Sequence, residues 1–197
     1  MKRLALAICA LIAAPALFFA QQSPSNVPPS AAKPLLLERN EGEQRVRREP
    51  LDSSGRPIPV AGSEFMLKVS PQNNASQHLV AGMENVAPGG RIAKHKHVSQ
   101  DEILIISSGT ARVWLGDQER DLHAGGLVFI PANTWISLQN TGPEPVRLTF
   151  VFSAPGFEHY MRCTSVPLGE TPKPITPEER RRCAAAGQVV YENLQAK

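Results

Sequence analysis

Gly89-Gly-Arg-Ile-Ala-Lys-His95-Lys-His97-Val-Ser-Gln-Asp-Glu102, closed by Gly109, is the stretch whose reading decides the fold. Side chains at i and i+2 of a β-strand project from the same face, so His95 and His97 point together. Glu102 has the opposite parity to His97, and an unbroken strand would turn it away. Val98 to Asp101 must therefore form a turn or bulge for the carboxylate to join the imidazoles. Two neutral imidazoles and one carboxylate are the ligand set of a facial triad, which leaves coordination positions open on a divalent metal. The residues thus predict a metal site at His95, His97 and Glu102. Fe, Mn and Zn all suit that set, and spacing does not choose among them.

The flanking sequence reads as short strands separated by turns. Strands are predicted at Phe65–Val69, His78–Val86, Arg91–His97, Glu102–Ile106, Thr110–Leu115, Glu119–Leu122, Leu127–Ile130, Trp135–Gln139 and Val146–Phe152. Turn chemistry falls between them, at Ala87-Pro-Gly-Gly90, Gly116-Asp117, Gly125-Gly126 and Asn140-Thr-Gly-Pro143. Strands of this length with no helix between them predict an all-β barrel or sandwich.

The spacing Gly89, five residues, His95, one residue, His97, four residues, Glu102, six residues, Gly109 resembles the first motif of the cupin superfamily. A second motif follows at Gly125, Pro131, Asn133, Ile136 and Asn140. Asn133 stands where the family usually has glycine, and Ile136 where it usually has a third metal-binding histidine. The resemblance covers roughly residues 65–157 and implies a double-stranded β-helix, the jelly-roll barrel of small quercetin-dioxygenase-like cupins. It also implies a homodimer, because many cupins exchange N-terminal strands. Ser153 to Tyr160 is similar to the segment after the last strand in such proteins, where Pro-Gly-Phe-Glu opens a helix across the barrel. That helix is expected to act as a lid or, the reading preferred here, to cover an open sheet edge.

Outward from the barrel, Lys2 and Arg3 precede an uncharged apolar run from Leu4 to Ala20, the layout of a secretory signal peptide. Residues 1–20 are expected to be cleaved, which places the protein in the periplasm or outside the cell without a membrane anchor. Cleavage removes two of the 21 basic residues and none of the 18 acidic ones, so the remaining chain is close to neutral. Such a balance argues against nucleic acid as partner, while the cupin resemblance implies a small-molecule ligand. Residues 21–49, rich in Pro, Ser and Gln, are expected to be a disordered linker or arm, and residues 50–157 the barrel, with its core motifs at 89–140. The extension 158–197 is expected to carry a helix at about 177–186, capped by Thr176 with Pro177 at its first position. Of three cysteines, Cys163 and Cys183 remain after export, and an oxidising compartment predicts a disulfide between them.

Ile136, Val113, Leu104, Phe129 and His78 are candidate pocket-lining or core residues, two roles that the sequence does not separate. No separate catalytic acid, base or nucleophile stands out, so catalytic residues stay unassigned. Two functions follow from the pattern. One is an oxygenase-like enzyme using one divalent ion on a small organic molecule. The other is a non-catalytic cupin that binds a sugar or aromatic ligand and has lost its metal.

Overall fold

The computed structural model describes residues 32–58 and 64–194. The expected signal peptide and Cys9 lie outside the described residues. Among the described residues, twelve antiparallel strands form two sheets. In chain order they are β1 Glu43–Arg47, β2 Glu64–Val69, β3 Val80–Val86, β4 Arg91–His97, β5 Glu102–Ser108 and β6 Ala111–Leu115. β7 Gln118–Leu122, β8 Leu127–Ile130, β9 Ile136–Asn140, β10 Val146–Phe152, β11 Ser165–Pro167 and β12 Val189–Tyr191 complete the set. The larger sheet runs β11-β1-β2-β3-β10-β5-β8 and the smaller β12-β4-β9-β6-β7. Helices α1 Pro71–Asn74, α2 Phe157–Cys163 and α3 Pro177–Ala186 lie outside the sheets.

The alternation in the sequence explains how the sheets face each other. In β10, Val146, Leu148, Phe150 and Phe152 are buried and the residues between them are not. β6, β9 and β5 alternate in the same way, and their inward residues meet in one core. This is the two-sheet, antiparallel jelly-roll that the strand pattern predicts. Each predicted strand is present, with ends moved by two residues or fewer.

The sheets extend beyond residues 50–157. Glu43–Arg47 was expected to belong to a disordered arm, yet it forms β1, paired on one side with β2 and on the other with β11. Its charges are what hold it there. Glu43 takes hydrogen bonds from Arg162 at 2.6 Å and from Arg45 at 2.8 Å, and Arg47 reaches Glu84 at 2.7 Å. At the other end, α3 is capped as expected, with the Thr176 side chain accepting from the Glu179 amide at 3.2 Å. The chain then returns as β12 along β4. A disulfide joins Cys163 at the end of α2 to Cys183 in α3. No helix among the described residues is long and apolar enough to cross a membrane.

Candidate metal centre

β4 and β5 belong to different sheets, and residues 98–101 carry the chain from one to the other. That crossing answers the parity problem. His95 and His97 are buried from β4, and Glu102 opens β5 with its side chain also buried. Three donor atoms, one from each side chain, lie within 4.8 Å of one another.

The bend is pinned from three directions. The Asp101 carboxylate accepts from the Ala132 amide at 2.9 Å, and the Asp101 amide donates to Ser153 Oγ at 3.0 Å. Gln100 is fully buried and donates to the Pro155 carbonyl at 3.2 Å. Asn133 donates through its backbone to the His97 carbonyl at 2.7 Å and through its side chain to the Val98 carbonyl at 3.0 Å. It does so at φ +63°, a conformation that asparagine tolerates better than most side chains, which is how it occupies a glycine position. Gln100 and Asp101 therefore shape the bend; neither hydrogen-bonds to a triad side chain.

The imidazoles are presented differently. His95 Nδ1 lies 2.8 Å from the Ala93 carbonyl oxygen, which can only accept, so Nδ1 carries the proton and Nε2 keeps its lone pair. Both ring nitrogens of His97 are buried with no hydrogen-bond partner among the described residues. Its Nε2 approaches Glu102 Oε2 at 3.2 Å, but without hydrogen-bond geometry. A buried polar atom left unpaired costs about 1–3 kcal/mol, so the cluster is expensive unless something occupies it.

Burial also sets the protonation states. It pushes His95 down to about 4, helped by the neighbouring His97, and His97 down to about 4 by burial alone. Glu102 is pushed up to about 8 by burial, against the pull of His95. Without an ion the cluster is neutral at pH 7, and the 3.2 Å approach of His97 to Glu102 is not a salt bridge. Neutral imidazoles with free lone pairs and a carboxylate that a cation would ionise fit a divalent metal.

A small chamber of about 40 Å³ adjoins the triad, lined by His95, Glu102, Leu104, Ile136, Phe157 and Tyr191 among others. Ile136 sits opposite His95 in the β4–β9 register and is 1% exposed, so an apolar wall replaces a possible third imidazole. Of the other candidates, Val113 takes the core role, and the expectations for Phe129 and His78 are corrected. Val113 is buried in the core away from the chamber. Phe129 is 53% exposed, because β8 turns only Val128 and Ile130 inward. His78 lies exposed, ahead of β3.

Sequence reasoning missed the cover. Tyr191 of β12 stacks on His95 with ring centroids 5.2 Å apart, and Phe157 of α2 meets His97 edge-on at 4.5 Å. The β-branched and aromatic run Val189-Val-Tyr191 after the helix stop at Gly187 was the available signal. α2 thus closes over the imidazoles rather than only shielding a sheet edge. Arg47 and Glu84 also reach the chamber wall. The run of charge that made β1 look like linker concealed Arg47.

A β jelly-roll whose inner wall gathers two imidazoles and a carboxylate able to hold a metal defines the class of this protein. Residues 82–152 match the family model described as the cupin domain, so this part of the chain carries a cupin domain. It is 37% identical over 68 residues to mannose-1-phosphate guanylyltransferase 2 of Escherichia coli O157:H7, covering 34% of this chain and 14% of that one. Against quercetin 2,3-dioxygenase of Bacillus subtilis it is 26% identical over 106 residues, covering 54% of this chain and 27% of the relative. Among solved structures, the oxalate decarboxylase of Lactobacillus farciminis is similar at a TM-score of 0.46 and 21% identity, covering 57% of this chain and 33% of that one. The chain thus spans well under a third of these two curated relatives.

Proposed function

We propose that the protein is an exported cupin that holds one divalent metal through His95, His97 and Glu102 and performs oxygenase-like chemistry on a small organic molecule. The observation that carries this is the convergence of three buried donors within 4.8 Å, with both His97 nitrogens unpaired. A bound metal would supply Lewis acidity and a template for substrate or dioxygen. The protein's own contribution is positional. Ala93 fixes the His95 tautomer, the pinned bend aims Glu102, and Phe157 and Tyr191 keep bulk water from the imidazoles.

Metal analysis of the purified full chain tests the reading. It expects close to one equivalent of Fe, Mn or Zn, falling at least tenfold in His97→Ala. Substoichiometric metal in the parent chain after incubation with each ion contradicts it. Ile136 supports the second reading, a metal-free binder of a sugar or aromatic ligand, since an alkyl side chain offers no lone pair where a ligand could stand. Under that reading, His97→Ala leaves ligand binding unchanged.

Export and a homodimer belong to the same proposal. The Cys163–Cys183 disulfide supports an oxidising compartment, and exposed Ile105, Leu127 and Phe129 on the β5–β8 edge support self-association. Native mass spectrometry of the exported protein should find a dimer of chains lacking the apolar N-terminal segment. A monomer, or an uncleaved chain, contradicts the corresponding part.

A further inference from the structure

A second cavity, of about 220 Å³, opens beside the metal chamber. Arg47, Glu84, Ile92 and Tyr191 line both cavities, so the two border on the same four side chains. The outer cavity is rich in guanidinium groups, contributed by Arg47, Arg48, Arg91 and Arg180. Their partners differ. Arg48 is neutralised by Glu179 through contacts of 2.5 and 3.0 Å and also donates to the Lys173 and Pro174 carbonyls. Arg47 gives one nitrogen to Glu84, while its Nε and Nη1 meet no hydrogen-bond acceptor among the described residues. Half-buried Arg180 has no carboxylate partner among them. It donates to the Tyr160 hydroxyl at 3.1 Å, and its guanidinium lies 4.8 Å from the centre of the Tyr191 ring. Arg91 stands exposed at the rim.

The partly buried charge therefore sums to one surplus cation, Arg180, beside a guanidinium with free donors, Arg47. A monoanion balances that surplus. Within the outer cavity, counted apart from the metal chamber, a phosphate dianion exceeds that surplus and brings its second charge against Glu84. Guanidinium forks match the two oxygens of a carboxylate. Size narrows the choice further, since the chamber at the triad has room for little beyond an ion and one or two small ligand groups. Only the reacting end of a substrate fits there, and the body must stay in the outer cavity against Tyr160 and Tyr191.

We propose that the ligand of this site is a small monocarboxylate, its carboxylate held between Arg180 and the free edge of Arg47 in the outer cavity while its other end passes Ile92 and Tyr191 toward the triad. The assignment rests on the metal-site reading for the direction in which the ligand points, and on the arginine cavity alone for its charge.

Calorimetric titration of the metal-loaded full chain with benzoate, benzamide and phenyl phosphate tests it, with metal content measured on the same sample. Benzoate should bind at least tenfold more tightly than benzamide and more tightly than phenyl phosphate. Arg180→Gln should weaken benzoate at least tenfold, leave benzamide unchanged and leave metal content unchanged, and Arg180→Lys should restore part of the loss. Because Arg47→Gln alone would strand Glu84 without its partner, the double variant Arg47→Gln/Glu84→Gln is the companion, and it too should lose the preference for benzoate. Equal binding of benzoate and benzamide, tighter binding of phenyl phosphate, or an unchanged benzoate affinity in Arg180→Gln overturns the proposal. A chain that prefers benzoate yet holds no metal overturns the metal reading and leaves the carboxylate assignment standing.

Discussion

Glu102 is where burial and function pull in opposite directions. Burial raises its pKa to about 8, above the ordinary value of 4.5, so the folded state favours its protonated form. For a group raised in this way, the contribution to stability is complete below 4.5 and is lost as the pH climbs toward 8. At pH 7 the loss is on the order of 3 kcal/mol in the absence of an ion. The two imidazoles behave conversely: their pKa values are lowered to about 4, so their contribution holds above 6.5 and fades as the pH falls through 4. Replacing Glu102 with Gln keeps the shape and removes the ionisation. Metal-free Glu102→Gln should therefore unfold at a higher temperature than the metal-free parent at pH 8 and by a much smaller margin at pH 5, while binding metal at least tenfold more weakly. Calorimetric melts at the two pH values check this, and a variant less stable at pH 8 would contradict it. The identity of the three donors was legible in the sequence because period-2 alternation and ligand chemistry constrain them. The orphaned nitrogens of His97 were not, since satisfaction of a buried atom depends on neighbours that only the folded chain supplies.

At the scale of elements, the site is a bend held by other loops and a cover held by a disulfide. Gly156 shows how little slack the bend has: a Cβ at that position would overlap the Gln100 side chain, and its φ is +148°. The cover is built from α2, which brings Phe157, and from β12, which brings Tyr191, with Cys163–Cys183 joining α2 to the helix that leads into β12. Closing a loop of about 20 residues stabilises a fold by about 3 kcal/mol in the chain-entropy model. The double variant Cys163→Ser/Cys183→Ser should lose stability on that order in denaturant titrations and exchange the Val189–Tyr191 amides faster, while still binding one metal. Unchanged exchange at those amides would show that the disulfide does not hold the cover. The central strands were readable because apolar residues alternate in them over five to seven positions. β1, β11 and β12 were not. They are three to five residues long, and β1 carries Glu43 and Arg47, whose ion pairs with Arg162 and Glu84 replace the apolar burial a sequence pattern detects.

For the molecule as a whole, two sheets contributed by distant parts of the chain place one buried polar cluster at the mouth of an apolar core. The barrel itself was legible from turn spacing and alternation, but its closure was not. Strands from both ends of the described chain, β1 and β12, complete the walls of the site and deliver Arg47 and Tyr191 to it. Everything functional depends on His95, His97 and Glu102 meeting at one point despite coming from opposing sheets. Anomalous diffraction at the metal edge, from crystals of the full chain loaded with Mn or Zn, measures that directly. The expected result is one peak per chain, about 2.0–2.2 Å from a nitrogen of each imidazole and an oxygen of Glu102. A peak elsewhere, or none between these three side chains at saturating metal, would contradict it.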